Sequence, residues 1–92
     1  MYDILPYSYK QAEKLGVQIF PSSNPKYKIE IYDKDGLFMF YGGAPQYSDF
    51  PHYIQSHGKE YADKRRRLYH IRHKKEIDKQ GSKGWYVAKL LW

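Results

Sequence analysis

The sequence predicts a small α+β fold, and three features predict it. Residues 26–32 alternate apolar and polar side chains, pass through Asp33-Lys34-Asp35-Gly36 and return as a second apolar run, the pattern of an antiparallel hairpin. Residues 59–79, between Gly58 and Gly81, read as one long, highly charged helix. Residues 84–92 read as a short helix that carries both tryptophans. A chain of 92 residues has room for a single domain, 1–92. It divides into an N-terminal helix and loop over 1–25, the hairpin over 26–41, a helical basic segment over 48–80 and the C-terminal Trp-rich helix over 84–92. The expected architecture is a sheet of two or three strands packed against the long basic helix and the short C-terminal one.

Each element has a local cause. Ser8-Tyr9-Lys10-Gln11 has the form of a capping box, so a helix should begin there and end near Leu15, with Gly16 in the left-handed conformation. Val17–Phe20 supplies a possible third strand. In the hairpin, Tyr27, Ile29 and Ile31 should share one face and Lys28, Glu30 and Tyr32 the other, while Asp35-Gly36 suits positive φ in the turn. The returning run Leu37–Tyr41 is apolar enough to be covered on both faces. Asp49 is placed to cap a helix through Ile54, with Pro51 in its first turn. The core expected from these patterns contains Leu37, Met39, Tyr41, Leu68, Ile71, Trp85 and Leu91.

Composition narrows the function. There is no cysteine, which removes disulfides, thiolate nucleophiles and sulfur-ligated zinc. Eleven tyrosines suit surfaces that are half buried, where the ring packs and the hydroxyl stays wet. No apolar run approaches a membrane span, and the first residues lack the basic and apolar regions of a signal peptide, so synthesis in the cytoplasm is expected. The net charge of +6 is uneven: residues 57–92 hold eleven Lys/Arg against four Asp/Glu, whereas residues 1–56 hold five against six. That asymmetry points to nucleic acid or an acidic protein surface as partner.

The long helix concentrates the signal. On a helical wheel, Tyr61, Leu68 and Ile71 form a weak apolar stripe interrupted by Lys64 and Lys75, and Ala62, Arg65, Tyr69, Arg72, His73 and Glu76 form a second one. The expected nucleic-acid contacts are Lys64, Arg65, Arg66, Arg67, Tyr69, Arg72, Lys74 and Lys75, with the cations on phosphates and the tyrosine on unpaired bases. The competing reading is a solvated face in which Arg72 and Glu76 pair and the arginine stems cover the hairpin. Tyr69, Arg72, His73 and Glu76 are the expected polar network, and Trp85 and Trp92 the expected protein-docking residues. His70, His73 and Glu76 resemble half of a metal site, and His52 and His57 could be recruited to it as in a His/Asp nuclease with Asp49, which makes a metal-dependent nuclease a distant third reading, since a mononuclear site needs three or four ligands and the His-Glu-x-x-His pattern is absent. Gly42-Gly43 lacks the Gly-Lys-Ser/Thr ending of a phosphate loop, and Asp33-Asp35-Gly36 lacks the distal glutamate of a calcium loop. No cofactor, metal or catalytic set is expected, and the chain reads as a binding protein, not an enzyme.

Residues 26–92 also resemble a family of short, uncharacterised basic proteins encoded by nucleocytoplasmic large DNA viruses and some phages. The resemblance rests on Ile31-Tyr32-Asp33-Lys34-Asp35-Gly36, Gly43-Ala44, Tyr47-Ser48-Asp49-Phe50, Asp63-Lys64-Arg65-Arg66, Tyr69, Arg72-His73-Lys74-Lys75-Glu76, Tyr86 and Leu90-Leu91-Trp92. It implies viral origin and does not point to any one activity. Together with the aromatic excess it leads to the expectation of a minor virion or assembly component, made in the host cytoplasm, that docks on capsid proteins and meets packaged DNA or RNA, with homo-oligomers allowed. The alternative is a free DNA- or RNA-binding accessory protein of replication or expression.

Overall fold

A computed structural model describes residues 1–92 and has the α+β fold, with five helices and one three-stranded antiparallel sheet. The chain forms two compact units. Residues Met1–Tyr47 hold α1 (Pro6–Leu15), β1 (Gln18–Pro21), β2 (Ile29–Tyr32) and β3 (Phe38–Gly42). Residues Ser48–Trp92 hold α2 (Phe50–His57), α3 (Lys59–Arg72), α4 (Lys74–Ile77) and α5 (Lys83–Leu91).

In the first unit, α1 starts earlier than the capping-box pattern implied. Leu5 is the cap, with extended backbone, and Pro6 takes the first helical position. Proline suits that site because its fixed φ is already helical and its missing N–H would have had no partner. Ser8 is therefore inside the helix, fully buried, and does not cap it. At the other end Gly16 adopts φ 70°, as expected; its N–H donates to Glu13 O, and Val17 N–H donates to Ala12 O. Those two bonds close a Schellman motif. Helix α1 then packs beside β1.

The sheet order is β1-β2-β3. Ile19, Ile29 and Ile31 are buried on one face, with Ile19 opposite Ile31. Because β2 begins at Ile29, Tyr27 and Lys28 leave the predicted alternation. Lys28 is buried with its ammonium over the Tyr2 ring, and Tyr27 stacks on Tyr41. The Asp33 carboxylate organises the turn, accepting from the N–H groups of Asp35 (2.9 Å) and Leu37 (3.0 Å). Gly36 alone in it takes positive φ, 84°. Two expectations for the returning strand fail. Leu37 belongs to the turn and is exposed, and Phe38 is half exposed, so β3 is open on its outward side. A bulge at Met39 lets Ile31 face Phe40 and Tyr32 face Phe38.

In the second unit, Asp49 caps α2 as expected and Pro51 sits in its first turn; Asp49 Oδ1 accepts from His52 N–H at 3.2 Å. The predicted single helix over 59–79 is interrupted. α3 ends at Arg72, His73 turns out of helical geometry (φ −106°, ψ 21°), and α4 is one further turn. Ser82 Oγ accepts from Trp85 N–H at 3.2 Å and donates to Glu76 O at 3.0 Å. One serine thus caps α5 and ties it to α4, so α5 starts at Lys83, one residue before the predicted helix over 84–92. Phe50, Ala62, Val87, Ala88, Leu90 and Leu91 are buried. Of the predicted core, Leu91 is buried, Met39, Tyr41 and Trp85 are half buried, and Leu37, Leu68 and Ile71 are exposed. On α3 the inward stripe is the one containing Ala62 and Tyr69.

Gly84 lies against Glu76 where α5 meets α4. A Cβ there would overlap Glu76 Cβ and press to 3.4 Å on the Glu76 backbone. Glycine to alanine within a helix ordinarily stabilises by about 1 kcal/mol. For Gly84→Ala the overlap should reverse the sign and cost about 1–3 kcal/mol in urea unfolding. An unchanged or raised midpoint would mean that α4 and α5 separate freely.

Candidate nucleic-acid interface

Helix α3 is strongly polar and buries only Ala62 completely. Two of its arginines lie over aromatic rings. The Arg65 guanidinium lies 5.5 Å from the Tyr53 ring centre, and that of Arg66 lies 4.7 Å from the Phe50 ring centre. Cation–π contact and burial of the aliphatic stems replace the apolar packing that the helix lacks.

The remaining cations divide by partner. Lys59 pairs with Asp63 (2.8 Å) and Lys74 with Asp78 (2.6 Å), both one helical turn apart. Lys64, Arg67, Arg72 and Lys75 are exposed and form no ion pair. The expected Arg72–Glu76 pair does not form, because the helix breaks between them; the Glu76 carboxylate instead lies 4.0 Å from His73 Nδ1. Lys64, Arg67, Leu68 and Ile71 follow one another at helical spacing on the solvent side of α3, so four unpaired cations surround two exposed aliphatic residues, Leu68 at 51% and Ile71 at 67% exposure.

The second feature of this unit is a ladder of six rings. His57 stacks on Tyr61 (4.4 Å between ring centres), Tyr61 meets Tyr53 edge-on (5.4 Å), and Tyr53 meets Trp92 (6.1 Å). Trp92 then lies parallel to Tyr69 (4.3 Å, 6°), and Tyr69 stacks on His73 (4.3 Å). The predicted polar network is therefore partly assembled: Tyr69, His73 and Glu76 come together, and Arg72 points to solvent. Of the proposed docking residues, Trp92 is engaged by Tyr69, and Trp85 packs edge-on to Tyr86 with Lys89 5.8 Å from its ring centre. The ladder was not recognised in the sequence. Its signal was present in the tyrosine–histidine pairs Tyr53/His57, His57/Tyr61 and Tyr69/His73, each four residues apart.

Electrostatics follow the packing. Burial raises the Tyr69 hydroxyl above its ordinary pKa, with the Glu76 charge adding to this and Arg72 opposing it, so Tyr69 is a neutral stacking ring. Burial lowers the pKa of His70, the Arg66 charge lowers it further, and the Trp92 backbone works in the other direction. His70 Nε2 is buried without a hydrogen-bond partner. The nuclease constellation does not assemble: no three His, Cys, Asp or Glu side chains converge to hold a metal ion. Asp49 pairs with His52 at 2.8 Å, whereas His57 and His73 lie against tyrosines. What the surface offers chemically is unpaired positive charge beside stacked rings. No helix is long and apolar enough to cross a membrane. No protein-family model, curated protein or solved structure matches the chain.

The lowered His70 pKa sets a pH dependence. The unfolded chain binds this proton more readily, so the stabilisation is complete above the ordinary histidine pKa of 6.5 and declines as pH falls through the folded value. The melting temperature should drop between pH 7 and pH 5.5, and the drop should be smaller in His70→Phe. Equal slopes in the two proteins would remove His70 as the cause.

Proposed function

We propose that this chain is a non-enzymatic binding protein that contacts nucleic acid through the solvent face of α3 and the adjoining turn of α4. The observation that carries the reading is the set Lys64, Arg67, Arg72 and Lys75, four exposed cations without an acidic partner in a unit holding eleven Lys/Arg against five Asp/Glu. Ordinary surface helices interleave signs and pair them, as Lys59/Asp63 and Lys74/Asp78 do here. Unpaired cations in register are suited to phosphates, where released counterions drive binding without regard to base sequence. Tyr61, at 39% exposure, is the ring of the ladder best placed to take a base.

The setting we propose is a virus particle, in which the chain is a minor component between capsid protein and packaged nucleic acid. Its support is the resemblance of residues 26–92 to that viral family, the number of tyrosines and the basic helix. Recovery of the protein in purified particles is the expected result, and consistent absence from them would leave the free accessory protein. A second reading, an acidic protein partner, is favoured by one observation: Leu68 and Ile71 are exposed between the unpaired cations, where phosphates have no use for them.

The test is binding to fluorescent single- and double-stranded DNA and RNA across a salt series. Binding is expected at about micromolar Kd or tighter at low salt, with log affinity falling linearly in log salt. The variant Lys64/Arg67/Arg72/Lys75→Glu should abolish it without unfolding the chain, since all four side chains are exposed. Arg65 and Arg66 are left intact because reversing them would remove their ring contacts. Absence of binding at low salt, with retention of an acidic amphipathic peptide that Leu68→Ser/Ile71→Ser loses, would replace nucleic acid by a protein partner.

A further inference from the structure

The outward face of the sheet carries an arrangement that the nucleic-acid reading does not use. Its side chains form two cross-strand rows, Phe20–Glu30–Tyr41 and Gln18–Tyr32–Phe38. Tyr32 stands edge-on to both Phe20 and Phe38, each at 5.6 Å, and Phe38 lies 4.8 Å from Tyr41. Phe20 and Tyr41 flank Glu30 from the two outer strands, about 10 Å apart at the backbone. They make no ring contact with each other, and the row sets a carboxylate between two aromatic side chains. One oxygen of Glu30 accepts from Ser23 N–H at 2.7 Å and the other from the Tyr32 hydroxyl. Those bonds, the tyrosine first, hold the Glu30 carboxyl below its ordinary pKa, so this side chain is charged at neutral pH. A carboxylate offers about four acceptor positions, so half of its capacity remains.

This geometry selects a planar cation. A guanidinium can stack on the rings and fork onto the carboxylate, whereas phosphate is repelled. The chain carries the matching group. Arg65 and Arg66 already lie on aromatic rings, and Arg67, next in sequence, is exposed with no ion pair. Its neighbours Leu68 and Ile71 are exposed, as are Phe20 (48%), Phe38 (50%) and Leu37 on the sheet side. Residues 1–47, with five Lys/Arg and five Asp/Glu, present no net charge to oppose the approach of a basic helix.

We propose that the sheet face of one copy receives Arg67 of a second copy, the guanidinium entering between Phe20 and Tyr41 over Glu30 while Leu68 and Ile71 pack on the exposed rings. The contact is head to tail. A pair keeps one free sheet site, on one copy, and one free Arg67, on the other, so association extends into chains or closes into a ring.

Sedimentation equilibrium on nuclease-treated full-length protein tests this over a concentration series at low and high salt. The mean mass should rise with concentration and fall with salt. Glu30→Lys and Arg67→Glu should each weaken association by about tenfold or more. Mixing those two variants should restore association, because Arg67 of the first meets Glu30 of the second. Glu30→Gln, which keeps the size of the side chain and removes its charge, should weaken association in the same direction, with circular dichroism confirming each fold. A monomer at every concentration, variants that associate like the parent, or a mixture that stays monomeric would each overturn the proposal. Nucleic-acid binding should survive Glu30→Lys, which separates this interface from the α3 surface as a phosphate site.

Discussion

Helix α3 is held by rings, and the second unit is arranged around that constraint. A helix that buries one alanine fully gains little from apolar transfer, so its position depends on Tyr53, Phe50 and Trp92 meeting Arg65, Arg66 and Tyr69. Aromatic pairs and cation–π contacts have geometric preferences that aliphatic packing lacks. They fix which side of the helix is turned in, and so decide which cations are spent on the fold and which are left for a partner. The break at His73 belongs to the same arrangement: it places that imidazole on Tyr69 and lets Glu76 turn toward α5, where Ser82 caps its carbonyl.

This division gives the run Lys64-Arg65-Arg66-Arg67 an internal structure that its charge alone conceals. The two central arginines are packing residues with charged tips, and the outer two cations face solvent. Substituting all four would mix a folding defect with a binding defect. The same distinction applies to the tyrosines. Those of the ladder hold helices together, while those on the sheet line an open face.

What was legible in the sequence was local. Gly16, Asp49 with Pro51, and Gly36 act through their own backbone geometry or a bond two or three residues away, and each behaves as its pattern implies. The alternation over Ile29–Tyr32 likewise found the buried face of the sheet. Failures came where two local signals compete or where the deciding contact is distant. Proline at position 6 outcompeted Ser8 for the helix start. The wheel of α3 offered two stripes, and hydrophobicity chose Leu68 and Ile71, whereas the rings of Tyr53 and Trp92, remote in sequence, turned Ala62 and Tyr69 inward. For the candidate interface, sequence identified the cations but not their pairing, since Arg72–Glu76 looked available until the helix ended between them.

The bulge at Met39 has a protective consequence. A short sheet with phenylalanine and tyrosine on an open face, and with outer strands whose backbone can pair further, is the kind of surface that seeds cross-β aggregation. The extra residue in β3 disrupts the regular row of donors and acceptors along that strand, and Pro21 removes an N–H from β1 on the other side. An incoming strand would meet an interrupted ladder on either side. The protein can thus keep its aromatic rings accessible to a specific partner at high concentration without the sheet becoming a template for fibres.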